Sequence, residues 1–139
     1  MRFVDTNVLL YAISKAAKEG RKRDAALALL ESEDVAVSVQ VLEEFYVQAT
    51  RPTRRDRLSH EQAAMLIQSW ILRFPVQTKT VALVEAALAT KQRFNISYWD
   101  AAIIEAARAL GCEIVFSEDL AGGQLYGSVR VVNPFSPSS

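Results

Sequence analysis

Short apolar runs alternate along the chain with longer stretches whose apolar residues return at helical spacing. Arg2 to Val4 reads as a strand carrying Phe3 and Val4, and Val8 to Ile13 continues as a helix. Lys22 to Glu31 places Ala26, Leu27 and Leu30 at helical intervals, and Val35 to Val37 is a second β-compatible run. Behind Ser38, a good helix cap, Leu42, Phe45 and Ala49 form one stripe, and this helix ends before Pro52. Ser59 and Gln62 make a Ser-x-x-Gln capping box, followed by Ala63, Leu66, Ile67, Trp70, Ile71 and Phe74 in an i, i+3, i+4, i+7 pattern that Pro75 stops.

Val76 to Thr78 reads as a weak strand and Thr80 to Phe94 as a helix closed by Asn95. Ser97 opens another helix, with Trp99, Ala102, Ile103, Ala106 and Leu110 on one face and Gly111 as its C-terminal cap. Ile114 to Phe116 and Val129 to Val132 are strands, with a turn at Gly122-Gly123. Strands alternating with helices predict a three-layer α/β/α sandwich around a central, mainly parallel sheet of about five strands. In such sheets a ligand site lies beyond the carboxyl ends of the strands.

The 139 residues suffice for one domain, expected at residues 1–133. Residues 134–139, rich in Pro and Ser, are expected to form a flexible tail. Half the residues are apolar, so a core can form without disulfides. Sixteen Lys and Arg balance sixteen Asp and Glu, so any nucleic-acid contact must rest on local patches and not on a bulk basic field. A single cysteine, Cys112, and a single histidine, His60, exclude a disulfide framework and Cys- or His-clustered metal sites. Asp5 interrupts the apolar start, and no run approaches membrane-spanning length; a soluble, cytoplasmic protein with no membrane contact is expected.

Two acids fall where the sheet rule puts a site: Asp5 after the first strand, and Asp119 within Ser117-Glu118-Asp119 after the strand at 114–116. Asp100 and Glu44 sit near helix beginnings. Each has an ordinary explanation as well. Asp5 could cap the next helix, and Asp100 completes a Ser-x-x-Asp box with Ser97. Glu44 lies opposite an apolar stripe with Glu43 an equal candidate, and Glu118 and Asp119 both suit a turn.

The strings Phe3-Val4-Asp5-Thr6-Asn7-Val8-Leu9, Ser38-x-Gln40-Val41-Leu42-Glu43-Glu44-Phe45, Tyr98-Trp99-Asp100-Ala101 and Phe116-Ser117-Glu118-Asp119-Leu120 occur in that order. Together they resemble the PIN-domain ribonucleases, most closely the toxin subunits of VapBC-type toxin–antitoxin pairs. The resemblance spans the chain from first strand to last. It implies four catalytic acids, Asp5, Glu44, Asp100 and Asp119, and so favours Glu44 over Glu43. It implies Thr6, Asn7 and Ser117 as supporting polar residues; many members of the family have Thr where this chain has Ser117, which keeps a hydroxyl. The implied activity is a metal-dependent endoribonuclease that hydrolyses RNA to a 5′-phosphate and a 3′-hydroxyl. The implied partners are an RNA substrate, a small antitoxin and a second copy of the chain, with the Trp70-bearing helix or the Leu42–Phe45 helix as candidate dimer contacts.

Clustered carboxylates without His or Cys would select a hard ion, Mg²⁺ or Mn²⁺, held by Asp5, Asp100 and Asp119, with Glu44 orienting water or holding a second ion. RNA would then need basic help, and two clusters offer it: Lys15, Lys18, Arg21, Lys22 and Arg23, and the loop residues Arg51, Arg54, Arg55 and Arg57. Both also read as ordinary solvated charge. Trp70 and Trp99 are expected in the core or a subunit contact, His60 exposed at a helix start, and Cys112 buried. Gly122-Gly123 lacks the frame of a dinucleotide loop. The alternatives are a nucleotide-binding interaction module on a similar sheet, against which the lack of a Gly-rich phosphate loop argues, and a catalytically silent PIN-like binding partner.

Overall fold

The structure, a computed structural model, describes residues 1–120 and 123–136. In chain order the elements are β1 (Arg2–Val4), α1 (Thr6–Ala12), a 3-10 turn (Ala17–Glu19), α2 (Gly20–Glu31), β2 (Val35–Ser38), α3 (Val39–Ala49) and α4 (His60–Arg73). Then come β3 (Val76–Gln77), α5 (Val81–Phe94), α6 (Tyr98–Ala109), β4 (Ile114–Phe116), β5 (Leu125–Tyr126) and β6 (Val129–Val132). The helix boundaries follow local chemistry. Ser38, Ser59, Thr80 and Ser97 each accept a backbone N–H three residues on, and Ser59 and Gln62 close a full capping box. Asn95 ends α5 in the left-handed conformation, at φ 54°.

The sheet runs β3-β2-β1-β4-β6-β5, parallel throughout except for β5, which pairs antiparallel with β6. The expected α/β/α sandwich is therefore present, with β5 as an added edge strand. Successive crossovers carry the chain outward from β1 to β3 and then back across to β4, so right-handed connections put α5 and α6 on the opposite face from α1–α4. The central strands are buried on both faces; Phe3, Val4, Val35, Ala36, Val37 and Val115 have no exposure. Phe45 packs edge-on against Trp70 at 4.8 Å beneath α4.

One expectation shifts in part. Trp99, expected in the core or a subunit contact, is 60% exposed and does not join the core; it sits in the first turn of α6, edge-on to Tyr98 at 5.1 Å, and lines a cavity at the protein surface. Within the stretch expected as a flexible tail, Phe135 is buried against Tyr11, with ring centroids 4.8 Å apart. Residues 137–139 and the first half of the Gly122-Gly123 turn lie outside the described residues. Among the described residues no helix is long and apolar enough to cross a membrane.

The topology creates one switch point. From β1 the chain turns to β2 on one side, while β4 flanks β1 on the other, so the loops leaving β1 and β4 diverge and open a crevice at their carboxyl ends. Val4 is in register with Phe116, and the Asp5 N–H donates to the Phe116 carbonyl at 3.0 Å.

Candidate active site

Residues just past β1 and β4 form the floor of this crevice. Asp5 is the N-cap of α1: its Oδ1 accepts the Thr6 N–H at 2.7 Å, and its Oδ2 accepts the Ser117 hydroxyl at 2.8 Å. Ser117, with no exposure, is a hub; its Oγ also accepts the N–H groups of Asp119 and Leu120, both at 3.2 Å, and folds the loop after β4 inward. Asn7 locks the same loop from α1. Its Nδ2 donates to Asp119 Oδ2 at 3.1 Å and to Ser117 Oγ at 3.4 Å, while its Oδ1 accepts the Glu118 N–H at 3.2 Å.

The other two acids arrive from helices on opposite faces of the sheet. Glu44, one turn into α3, accepts from Gln40 Nε2 at 3.1 Å and from the Thr6 hydroxyl at 3.5 Å. Gln40 also donates to the Trp99 carbonyl at 3.3 Å and so ties α3 to the start of α6. There the Asp100 N–H caps onto Ser97 Oγ at 3.0 Å, and the Asp100 carboxylate is left for the crevice.

Asp5, Glu44, Asp100 and Asp119 thus line one cavity of about 330 Å³, together with Thr6 and Asn7. Ser117 lies beneath it, reached through its hydrogen bonds. Glu43 points elsewhere, exposed and paired with Lys79 at 2.5 Å. None of the four acids pairs with a cation among the described residues. Burial pushes the Asp5 carboxyl up to about 6; the charges of Glu44 and Asp119 push the same way, against the lowering effect of the Ser117 and Thr6 hydrogen bonds.

The donor set is carboxylate, hydroxyl and amide oxygen only, which suits a hard cation. Among the described residues no three His, Cys, Asp or Glu side chains converge enough to cage an ion by themselves.

The rim holds residues that periodicity did not single out. The Tyr11 hydroxyl donates to Glu118 Oε1 at 2.6 Å, Lys22 pairs with Glu118 Oε2 at 2.6 Å, and Lys22 Nζ sits 4.9 Å above the Tyr11 ring. Lys22 and the Tyr11 hydroxyl hold Glu118 below the usual carboxylate range against its desolvation. Gln40 was signalled only by its i, i+4 spacing to Glu44. Of the loop arginines, Arg54 lines the cavity, while Arg51 and Arg55 are exposed outside it. His60 is exposed, its Nδ1 2.9 Å from the Tyr46 hydroxyl, and Cys112 is buried, with burial pushing its thiol up.

A family model described as PIN domain matches residues 2–121. No curated protein sequence matches the chain. Among solved structures, the chain is similar to VapC20 of Mycobacterium tuberculosis, described as a sarcin–ricin loop cleaving toxin, at 22% identity and a TM-score of 0.65, covering 86% of this chain and 90% of that one. It is similar to a toxin–antitoxin complex from Klebsiella pneumoniae at 21% identity and a TM-score of 0.69, covering 97% and 98%. DNA-bound VapBC from Salmonella typhimurium aligns at 17% identity with a TM-score of 0.66, covering 94% and 95%. At these identities the likeness to the solved structures is one of fold.

Proposed function

The chain belongs to the PIN domain family, and on that premise we propose that it is a metal-dependent endoribonuclease acting as the toxin of a toxin–antitoxin pair. The observation that carries this reading is a single cavity lined by acids from four distant segments, none of them neutralised by a lysine or arginine. Fully ionised, such a cavity is unfavourable: two like charges about 4 Å apart repel by roughly 4 kcal/mol at an effective dielectric near 20. A hard divalent ion, Mg²⁺ or Mn²⁺, relieves that repulsion; when bound it would lower the pKa of a water and offset phosphate charge.

In this reading Asp5, Asp100 and Asp119 hold the ion, and Glu44, steadied by Gln40 and Thr6, orients the attacking water. Asn7 and Ser117 keep Asp119 and Asp5 at a fixed separation. Arg51, Arg54 and Arg55 offer phosphate contacts, with Arg54 nearest the acids. RNA as substrate and a small antitoxin as partner are supported by the toxins to which the fold is similar, one of them described as cleaving the sarcin–ricin loop. A homodimer is part of the same proposal. Trp70, Leu42 and Phe45 are occupied in the protomer's own core, so a contact through α3 or α4 uses the exposed Val47, Met65, Ile71 and Leu72 instead.

The test is cleavage of labelled cellular RNA by the purified protein. Activity should vanish in EDTA, return with Mg²⁺ or Mn²⁺, and fall at least about 100-fold in Asp5→Asn and in Asp100→Asn. Light scattering on the same preparations reads the oligomeric state. Cleavage that survives EDTA and both substitutions removes the mechanism.

A further inference from the structure

The two basic clusters, some forty residues apart in sequence, meet in space. The Lys15 N–H donates to Asp56 Oδ2 at 3.1 Å and clamps the segment after α1 onto the loop between α3 and α4. Between them runs a second cavity of about 590 Å³, lined by Ser14, Lys15, Lys18, Glu19, Arg55 and Asp56. It adjoins the acidic cavity. Glu19 lines both, and Arg54, on the wall of the first, is paired with Asp56, on the wall of the second, at 3.3 Å.

The charges in this groove are arranged unequally. Its two carboxylates are already engaged: Glu19 accepts the Ser14 hydroxyl at 2.5 Å, and Asp56 is held by the Lys15 N–H and Arg54. The Lys15 N–H and Arg54 hold Asp56 below the usual carboxylate range. By contrast the side chains of Lys15, Lys18 and Arg55 are exposed and enter no ion pair among the described residues. Arg54 Nε is buried and makes no hydrogen bond, since its approach to Asp56 lacks the geometry for one. A chain of zero net charge therefore carries a locally positive groove adjoining its carboxylate pocket.

We propose that this groove between the 14–19 segment and the 54–56 loop is a phosphate track for a single-stranded RNA, with Lys15, Lys18 and Arg55 gripping nucleotides beyond the acids and Arg54 marking the junction. The proposal rests on the nuclease reading for its substrate class and extends it by giving the strand a direction out of the pocket. A groove of exposed, unpaired cations recognises a flexible polyanion by charge and reads no base edges. Asp56 acts as a positioning residue, holding the two walls together and directing Arg54.

The test uses the full chain carrying Asp100→Asn, so that bound RNA survives, and fluorescein-labelled mixed-sequence single strands of three and ten nucleotides. Affinity is read against salt concentration. Combining Lys15→Gln, Lys18→Gln and Arg55→Gln should lower the slope of log affinity against log salt for the ten-mer by about 2, at roughly 0.7 for each lost phosphate contact. It should also shrink the affinity gained by lengthening the strand from three to ten nucleotides. Lys91→Gln on α5, which lines neither cavity, should leave the slope unchanged. An unchanged slope in the triple variant overturns the track, even if the wild type cleaves RNA. A lowered slope upholds it even if the wild type proves not to cleave, so the two readings fail separately. Binding of a polyglutamate peptide that the triple variant loses, with the RNA slope unchanged, would assign the groove to an acidic protein segment and overturn the proposal.

Discussion

At Asp5 one carboxylate oxygen caps α1 and the other holds the loop after β4, in surroundings that leave only 8% of the residue exposed. Capping α1 and lining the acidic cavity, which the sequence offers as alternatives, thus fall on the same side chain. This has a thermodynamic signature. The folded-state pKa of about 6 lies above the ordinary value of 3.8, so the stability Asp5 contributes is complete below about pH 4 and is lost as pH rises through 6. The full loss is about 3 kcal/mol, of which about half falls between pH 5 and pH 7.5. Asp5→Asn cannot ionise. In metal-free buffer its stability relative to wild type should therefore rise by that amount between pH 5 and pH 7.5, measured by urea unfolding, while its activity is lost. A constant difference across that range would mean that Asp5 titrates normally. Gln40 shows what the sequence hides at this scale. Its spacing to Glu44 is legible, but its second acceptor, the Trp99 carbonyl, is 59 residues away and exists only once α3 and α6 have packed.

Elements were legible where a cap or a breaker marks them. Ser59 and Gln62, Ser97, Asn95 and Pro75 each stand at an observed boundary because local hydrogen bonds or backbone restrictions act before any tertiary contact. The edge strand β5 was missed. Leu125-Tyr126 is too short to show alternation, and the signal lay in the turn: Gly127, with φ at 64°, and Ser128 join it to β6 as a two-residue hairpin. Caps also separate stability from function. Ser59→Ala and Ser97→Ala each remove one side-chain cap, at a cost of about 1 kcal/mol apiece in urea unfolding. Ser59 caps α4, and only the α6 cap positions an acid, since the N–H it accepts belongs to Asp100. Ser97→Ala should lower kcat several-fold, and Ser59→Ala should leave it unchanged. Equal kcat values in the two variants would reduce the Ser97 cap to a purely structural role.

For the whole molecule, the alternation of strands and helices is enough to give the sheet and the end at which Asp5 and Asp119 lie, because a parallel α/β order admits few topologies, while Glu44 and Asp100 are joined to them only by the family resemblance. It was not enough to show that two separate basic clusters share a groove, since that depends on how the 51–58 loop lies over the segment after α1. On the proposed reading, the same long-range assembly would make ion binding a property of the folded state alone. Asp5 and Asp119 are brought together by β1 and β4, and unfolding scatters all four acids. A ligand that binds only the native state adds about 2.7 kcal/mol at a hundred times its dissociation constant, which for a chain of this length raises Tm by roughly 10 °C. Mg²⁺ or Mn²⁺ should therefore raise Tm saturably, beyond NaCl of equal ionic strength, and Asp5→Asn and Asp100→Asn should abolish most of the rise. Because the ion competes with the proton on Asp5, the rise should be larger at pH 7.5 than at pH 5.5. A Tm that ignores both ions at pH 7.5 would leave the acids without a metal to hold, whatever the protein does to RNA.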